Sequence, residues 1–514
     1  MKLRIDVLAA AVCGATALLG TAAANAATAC ADLKNLKLPE TTITMAERVP
    51  AGDISLPGGF GPPGTMQALK VPAMCRLAGV VTPAIKFEVW LPEGNAWNGR
   101  YQAVGGGGLA GIISYPAMAE AVRGGYASSS TDTGHEASDT ANTWTLDRQR
   151  VMDYGYRAIH QMTLKAKAVI DAHYGKAPEY SYFNGCSTGG RQGLMEAQRF
   201  PDDFNGIISG APVNRFTNLH MGQLYTAHAT LKKPGAVLTR DDLTKVSAAV
   251  LAQCDAADGV KDGMLTDPRT CKFDPSSLQG FKPEQIEALK MIYKGAVNPR
   301  TGAQIYPGLE VGGEGPQPGN PGWGLIMNGK DPFAIDAPVL GGMGFNNPKW
   351  DWRTFDFDKD VGLVNAKLFG TLNAINPDLS DFKKHGGKLI VYHGWSDPGV
   401  MPQNTLEYVA SVREFAGKST GGDGGAYTDE FMRLYMLPGV GHCRGGVGPD
   451  QTDWMSALAG WVEKGKAPAS LEGRREDQGK TVMTRPFCPY PQVAKYKGKG
   501  DTNDAKSFEC ALPK

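Results

Sequence analysis

Residues 185–193, Gly-Cys-Ser-Thr-Gly-Gly-Arg-Gln-Gly, join an apolar run at 180–183 to a helical stretch at 191–199. A strand that turns directly into a helix is crowded, and its glycines let a serine side chain project above the edge of a parallel sheet. The segment is also compatible with a simple strand-to-helix turn. We interpret it as the turn that holds a candidate nucleophile, Ser187, in a chain built around a largely parallel sheet.

Short apolar runs alternate with helical stretches through the first half of the chain, as is typical of an α/β protein with a mostly parallel sheet. The predicted strands cover residues 87–91, 101–104, 125–129, 180–183, 206–209, 388–392 and 433–437, and the predicted helices cover 150–174, 191–199 and 403–416. Residues 214–371 are rich in glycine and proline and lack this alternation. We therefore predict a catalytic domain of residues 27–213 and 372–514, interrupted by a lid insertion of residues 214–371.

A serine nucleophile needs a histidine base, and the imidazole needs a carboxylate that fixes its tautomer. Downstream of Ser187, the predicted strand 388–392 leads to Asp397, and the predicted strand 433–437 leads to His442. Both residues therefore follow strands at the same sheet edge as Ser187, in the chain order serine, acid, histidine. An aspartate before a proline is also common in turns, and a histidine after a glycine is common at surfaces. His393 precedes the acid, and we expect it to support the loop of Asp397.

These features together predict an α/β-hydrolase core with a large inserted lid. In such a core, two backbone N–H groups stabilise the oxyanion that forms when the serine attacks a carbonyl carbon. One is expected from Thr188, which follows the nucleophile. The other is expected from Gly106 or Gly107, in a four-glycine loop after the predicted strand 101–104. A flexible linker is the alternative interpretation of that loop.

The N-terminus carries two basic residues, an apolar run and then Ala-Asn-Ala at 24–26, which is typical of a cleaved signal peptide of residues 1–26. Export to the periplasm or the medium follows from this prediction. The apolar run is too short for a stable membrane span. Of 53 basic and 52 acidic residues, the peptide removes two and one, so the mature chain is formally neutral. This balance disfavours nucleic acid or an anionic membrane as a partner.

Eight of the nine cysteines remain in the mature chain, and an even number in an exported protein predicts disulfides. Cys186 adjoins the nucleophile and Cys443 adjoins the base, so contact between Ser187 and His442 predicts a Cys186–Cys443 bond. The alternative is that Cys186 is a reactive thiol. The remaining predicted pairs are Cys254–Cys271, Cys30–Cys75 and Cys488–Cys510.

The segment 254–264, Cys-Asp-Ala-Ala-Asp-Gly-Val-Lys-Asp-Gly-Met, concentrates three carboxylates between turn-forming glycines. Carboxylate and carbonyl oxygens are the ligands that Ca²⁺ prefers, although the spacing is not that of an EF-hand. The predicted ligands are the side chains of Asp255, Asp258 and Asp262 with the carbonyls of Val260 and Met264. A solvated acidic turn is the alternative.

Three motifs, Gly-Cys-Ser-Thr-Gly-Gly-Arg-Gln-Gly at 185–193, His-Gly-Trp-Ser-Asp at 393–397 and Gly-His-Cys at 441–443, together resemble the tannase/feruloyl esterase family. The resemblance implies the disulfide beside the serine and histidine and the calcium loop on the residues already named. It also implies hydrolysis of small aromatic esters without an organic cofactor. Feruloyl esters are the favoured substrates, and galloyl esters or mono(2-hydroxyethyl) terephthalate are the alternatives. In this family the lid supplies most of the acyl pocket, and its aromatic residues here include Trp323, Phe333 and Trp350.

Two hypotheses from other classes remain open at the level of sequence. A peptidase or an acyltransferase uses the same three catalytic residues. A non-catalytic binding protein on a decayed hydrolase scaffold would have lost one of them, whereas Ser187, Asp397 and His442 are all present.

Overall fold

The computed structural model describes residues 27–57, 65–327 and 330–513. The predicted signal peptide lies outside these residues. Within them, no helix is both long enough and apolar enough to cross a membrane.

A nine-stranded sheet forms the centre of the protein. Its strands, in chain order, are β1 (Thr41–Val49), β2 (Met74–Val81), β3 (Ile85–Pro92), β4 (Arg100–Val104), β5 (Ala127–Thr131), β6 (Tyr180–Cys186), β7 (Gly206–Gly210), β8 (Lys388–Gly394) and β9 (Met432–Leu437). Across the sheet they lie in the order β1-β2-β3-β5-β4-β6-β7-β8-β9. The strands from β5 to β9 in that order are parallel, whereas β1, β2 and β3 pair antiparallel, as does β3 with β5. The mostly parallel sheet confirms the predicted α/β-hydrolase architecture.

Helices cover both faces of the sheet, which explains why the central strands read as continuous apolar runs. The α-helices are α1 (Tyr115–Arg123), α2 (Arg148–Met152), α3 (Ala158–Tyr174), α4 (Thr188–Arg199), α5 (Phe216–Leu231), α6 (Arg240–Cys254), α7 (Pro283–Lys294), α8 (Asp360–Leu372), α9 (Ser380–Lys384), α10 (Pro402–Thr420), α11 (Gly424–Asp429) and α12 (Trp454–Lys464). Phe183 of β6 packs in the core cluster of α3, α4 and α10, while its neighbour Tyr182 packs with α12 on the opposite face. Successive strand residues therefore enter two separate cores.

The predicted lid insertion, residues 214–371, contributes most of a second hydrophobic cluster, which is separate from the main core of the sheet. Apolar side chains of α5, α6, α7 and α8 form this cluster, and Trp144 and Tyr154 from the preceding catalytic segment join it. Its only strands among the described residues are a short hairpin, Ala296–Val297 with Gln304–Tyr306. The exact bounds of the lid insertion, 214 and 371, stay predictions.

Within the described residues, three further hairpins lie outside the sheet, and four disulfides cross-link the chain. The hairpins pair Gly52–Pro57 with Met66–Val71, Leu471–Asp477 with Lys480–Phe487, and Val493–Tyr496 with Phe508–Ala511. The disulfides are Cys30–Cys75, Cys186–Cys443, Cys254–Cys271 and Cys488–Cys510, as the sequence predicts.

Candidate active site

Ser187 lies between the last residue of β6 and the first residue of α4, with φ 64° and ψ −121°. A residue other than glycine rarely adopts a positive φ, and this backbone conformation persists only where the surrounding structure fixes it. Here the Ser187 N–H donates to the carbonyl of Gly210 at 2.9 Å, and the Ser187 carbonyl accepts from the N–H of Arg191 at 3.0 Å. The strained turn is therefore held by the neighbouring strand on one side and by its own helix on the other.

The glycines of the motif are required by close backbone approach. A Cβ added to Gly185 would lie 2.7 Å from the carbonyl carbon and oxygen of Gly189, and one added to Gly190 would lie 2.2 Å from the carbonyl oxygen of Gly210. Side chains at these positions would push α4 away from β6 and β7. The motif thus places Ser187 at the carboxyl edge of the sheet by permitting a turn that other residues would block.

His442 follows β9, Asp397 follows β8, and the two side chains form a hydrogen bond. His442 Nδ1 lies 2.8 Å from Asp397 Oδ2. The second carboxylate oxygen, Oδ1, accepts the N–H groups of Gly399 at 2.8 Å and Val400 at 2.9 Å. Because Nδ1 donates to the carboxylate, Nε2 is the atom with a free lone pair. This is the arrangement that a general base requires.

His393 supports the same carboxylate from inside the core. Its side chain is fully buried, and Nε2 lies 3.1 Å from Asp397 Oδ2 and 2.9 Å from the carbonyl of Val400. Nδ1 lies 2.7 Å from the hydroxyl of Thr405, which anchors the ring to α10. The prediction that His393 supports the loop of Asp397 agrees with these contacts.

The electrostatics of the pair favour a charged aspartate beside the histidine. Burial acts to raise the pKa of Asp397, but the charge of His442 and the hydrogen bonds from His442 and His393 outweigh it, so that this pKa lies well below its ordinary value. Burial acts to lower the pKa of His442, but the negative charge of Asp397 outweighs it and raises this pKa. The imidazolium that forms when His442 takes a proton is therefore stabilised.

A disulfide holds the nucleophile turn against the loop of the base. Cys186 and Cys443 are bonded, with their Cα atoms 6.0 Å apart, and they directly adjoin Ser187 and His442. Ser187 and His442 also line one cavity. The bond leaves no free thiol at Cys186, so the reactive-thiol alternative has no support in the structure.

The four-glycine loop lies beside the nucleophile turn, and its hydrogen bonds distinguish the two candidate glycines. The N–H of Gly106 donates to the side-chain oxygen of Gln192 at 3.0 Å. No acceptor among the described residues takes the N–H of Gly107, and Gly107 lines the same cavity as Ser187. We therefore favour Gly107 over Gly106, together with the N–H of Thr188 at the start of α4.

The sequence analysis did not identify the residues that hold the four-glycine loop in place. The hydroxyls of Thr188 and Tyr154 both donate to the carbonyl of Gly108, at 2.6 and 3.1 Å. The buried guanidinium of Arg191 donates to the carbonyls of Gly155 at 2.8 Å and Tyr154 at 3.2 Å. Arg191 and Gln192 stand within the motif itself, but their partners lie far away along the chain.

A cavity of about 930 Å³ opens in front of Ser187, between the catalytic domain and the lid insertion. The lid insertion contributes mainly apolar side chains to it: Phe216, Leu219, Leu325, Phe333 and Ile335. Of the three lid aromatics noted in the sequence, only Phe333 lines this cavity. Trp323 is buried in the lid core, and Trp350 packs against Phe345 and Phe355.

The lid insertion also contributes two polar side chains to the cavity lining, His220 and Gln223. His220 Nδ1 lies 2.9 Å from Asp336 Oδ1, and both side chains are buried. Burial raises the pKa of Asp336 to about 6, although the hydrogen bond and charge of His220 oppose this shift. Gln223 donates to the carbonyl of Gly399, and its own side-chain oxygen is buried without a partner among the described residues.

The acidic loop of the lid insertion contains two glycines of positive φ, Gly259 and Gly263. Asp255 Oδ1 accepts the N–H groups of residues 262 and 263, at 3.1 and 3.0 Å. Asp258 accepts the hydroxyl of Thr266, while Asp262 Oδ2 lies 2.8 Å from Nη1 of the buried Arg485. The Cys254–Cys271 disulfide closes this part of the chain.

Comparison with known proteins places the chain among esterases. Residues 69–511 match the family described as tannase and feruloyl esterase. An esterase of Xanthomonas campestris pv. campestris, described as uncharacterized, is 38% identical over 96% of this chain and 92% of that protein. A probable feruloyl esterase of Arthroderma benhamiae is 34% identical over 84% and 83%. The mono(2-hydroxyethyl) terephthalate hydrolase of Piscinibacter sakaiensis is 31% identical over 88% and 87%.

The crystal structure of feruloyl esterase B from Aspergillus oryzae superposes with a TM-score of 0.84 at 28% identity, covering 93% of this chain and 98% of that one. The fold and the site define a carboxylic ester hydrolase of the α/β-hydrolase class. The chain belongs to the tannase and feruloyl esterase family.

Proposed function

We propose that the protein hydrolyses esters of hydroxycinnamic acids, such as feruloyl esters, through an acyl-enzyme on Ser187. The observation that carries this proposal is that Ser187 and His442, whose ring is hydrogen-bonded to Asp397, line one largely apolar cavity. An apolar cavity of this size accommodates an aromatic acyl group, whose ring is stabilised by contact with apolar side chains.

In the first half of the reaction, His442 Nε2 takes the proton of the Ser187 hydroxyl while the oxygen attacks the ester carbonyl carbon. The N–H groups of Thr188 and Gly107 stabilise the negative oxygen of the tetrahedral intermediate. His442 then gives its proton to the alcohol oxygen as the carbon–oxygen bond breaks. In the second half, water repeats these steps on the acyl-enzyme and releases the aromatic acid.

The preference for a feruloyl group over its alternatives rests on the relatives. The probable feruloyl esterase of Arthroderma benhamiae and feruloyl esterase B of Aspergillus oryzae both cover more than four fifths of the chain. A galloyl ester or mono(2-hydroxyethyl) terephthalate remains the alternative substrate, since one relative is named for the latter. The phenylalanine side chains of the cavity, Phe216 and Phe333, suit any of these rings.

We also propose that the acidic loop binds a structural Ca²⁺ through Asp255, Asp258 and Asp262 and the carbonyls of Val260 and Met264. Arg485 pairs with Asp262, but no cationic side chain among the described residues pairs with Asp255 or Asp258. These hard oxygen donors fit Ca²⁺. Among the described residues, the ligand oxygens of the three carboxylates are not all within 4.8 Å of one another. The ion would supply charge neutralisation to the lid insertion and takes no part in the reaction.

We further propose that the protein is exported to the periplasm or the medium. The predicted signal peptide at 1–26 and the four disulfides of the mature chain both suit an oxidising compartment.

The test is the release of free acid from methyl ferulate, methyl gallate and mono(2-hydroxyethyl) terephthalate by the wild type and by Ser187→Ala. We expect the wild type to hydrolyse methyl ferulate fastest and the variant to lose the activity. Ser456→Ala, an exposed serine on α12, is the matched control. Hydrolysis of all three by Ser187→Ala at the wild-type rate contradicts the mechanism. A faster reaction with either of the other two esters contradicts the feruloyl assignment alone.

A further inference from the structure

We propose that Arg444 binds a carboxylate on the alcohol part of the substrate, so that the preferred esters join an aromatic acid to an anionic alcohol. This inference rests on the proposed function, and it deepens it by assigning a charge to the leaving group.

The lining of the catalytic cavity has an unusual charge composition. Among the described residues that line it, Arg444 is the only arginine, and there is no aspartate, glutamate or lysine. The other lining side chains are apolar or neutral, apart from the two histidines, His220 and His442. A single cation at the mouth of an otherwise neutral cavity attracts an anionic ligand and repels a cationic one.

The guanidinium of Arg444 has no partner within the described part of the chain. Its side chain is exposed, and no carboxylate among the described residues forms an ion pair with it. It acts electrostatically on Tyr392, but burial raises the pKa of that phenol to about 12, so Tyr392 is neutral at physiological pH. The positive charge of Arg444 is therefore not compensated before a ligand arrives.

The backbone that carries Arg444 is fixed. The preceding residue, Cys443, is tied to Cys186 by the disulfide. The N–H of Gly445 donates to the Asp450 carboxylate at 2.8 Å, and the N–H of Gly446 donates to the carbonyl of Pro318 in the lid insertion at 2.7 Å. The guanidinium thus extends from a fixed backbone, so that the entropic cost of ordering the loop does not fall on ligand binding.

The side of the substrate that Arg444 meets follows from the chemistry of His442. The base returns its proton to the alcohol oxygen, so the ring of His442 faces the leaving group and not the acyl group. Arg444 lies two residues further along the same loop. The apolar side chains that suit an aromatic acyl group, Phe216, Phe333 and Ile335, come from the lid insertion. A carboxylate on the alcohol therefore lies nearer to Arg444 than one on the acyl ring.

The test compares four esters: 5-O-caffeoylquinate, whose alcohol is anionic, its neutral quinate methyl ester, methyl caffeate, and mono(2-hydroxyethyl) terephthalate, whose carboxylate is on the acyl ring. We expect the wild type to have a kcat/KM about five- to tenfold higher for the anionic ester than for its neutral methyl ester, from one charge-assisted contact at a partly exposed site. Arg444→Gln should reduce this ratio to about one, and 0.5 M NaCl should reduce it in the wild type by screening. Arg240→Gln, an exposed arginine on α6 outside the cavity, is the matched control and should retain the ratio.

Two results overturn the inference. One is an equal ratio of kcat/KM in the wild type and in Arg444→Gln. The other is a fall in kcat/KM of Arg444→Gln that is confined to mono(2-hydroxyethyl) terephthalate, which would place the bound carboxylate on the acyl side. In either case the wild type still hydrolyses methyl caffeate. Failure of the wild type on every ester would instead contradict the proposed function itself.

Discussion

Asp397 controls His442 through one hydrogen bond of 2.8 Å, and the raised pKa of the imidazole is a consequence of the buried negative charge. Only the neutral imidazole can take the proton of Ser187. Activity should therefore rise with pH as His442 loses its proton, with an acid limb above the ordinary histidine value of 6.5. Below that limb the imidazolium predominates and the base is lost.

Replacing Asp397 by Asn removes the charge that raises the pKa of His442. We expect kcat to fall by about four orders of magnitude, because the amide stabilises the wrong tautomer and no longer stabilises the imidazolium. The acid limb of the residual activity should move to lower pH. The pH profile of kcat/KM for methyl ferulate checks this prediction, with Asp381→Asn, at an exposed position of α9, as control. An acid limb that stays at the wild-type pH would contradict the assigned pair.

At the residue scale, the sequence predicts the three candidate catalytic residues but does not decide which glycine is the oxyanion donor. Chain order and the strand ends placed Ser187, Asp397 and His442. The choice between Gly106 and Gly107 depends on the Gln192 side chain, 86 residues away, which takes one of the two N–H groups. No local pattern predicts a contact of that kind.

At the scale of elements, the Cys186–Cys443 bond joins the β6–α4 turn to the loop after β9 across 257 residues of chain. Loop-closure entropy gives such a bond a stabilisation of up to about 5 kcal/mol. It also fixes the distance between two loops whose side chains must meet. Its loss should therefore affect catalysis as well as the free energy of unfolding.

We expect the double variant Cys186→Ser, Cys443→Ser to have a lower melting temperature and a kcat reduced by about tenfold or more, because misplacement of a catalytic group by about 1 Å can cost a hundredfold. The matched control is Cys488→Ser, Cys510→Ser, which removes a disulfide outside the cavity. That pair should lower the melting temperature without lowering kcat in the folded protein. Equal effects of both pairs on kcat would show that the first bond has no positioning role.

The predicted strands agree with the observed ones to within a few residues. Helices cover both faces of the sheet, so its central strands are continuous apolar runs in the sequence. The predicted strand 125–129 begins instead at Ala127, since Gly125 adopts a φ of 81° and belongs to the preceding turn. The elements of the lid insertion were not predicted. Its helix α5 is buried on nearly all sides, so it lacks the helical period of apolar residues that reveals a surface helix.

At the scale of the whole molecule, the cavity belongs to the catalytic domain and the lid insertion together. The stability of the lid insertion should therefore affect substrate binding, and the proposed Ca²⁺ is one source of that stability. A ligand present at a hundred times its Kd stabilises the folded state by about 2.7 kcal/mol.

Chelation with EDTA should lower the melting temperature by a few degrees, and added Ca²⁺ should restore it. Asp258→Asn, which weakens the proposed site, should melt at the lower temperature with or without EDTA. Calorimetry measures the melting temperature, and elemental analysis of the desalted protein measures its calcium content. A protein that contains no calcium and melts at one temperature in all conditions would contradict the proposed site.

The central claim is that Ser187 forms the covalent intermediate, and labelling with a fluorophosphonate tests it most directly. We predict one adduct per chain by intact mass, located on the peptide that contains Ser187, with loss of ester hydrolysis in the same proportion. Ser187→Ala should take up no label, and acidification below the pKa of His442 should slow labelling of the wild type. An adduct on another residue, or full ester hydrolysis by the labelled protein, would contradict the account.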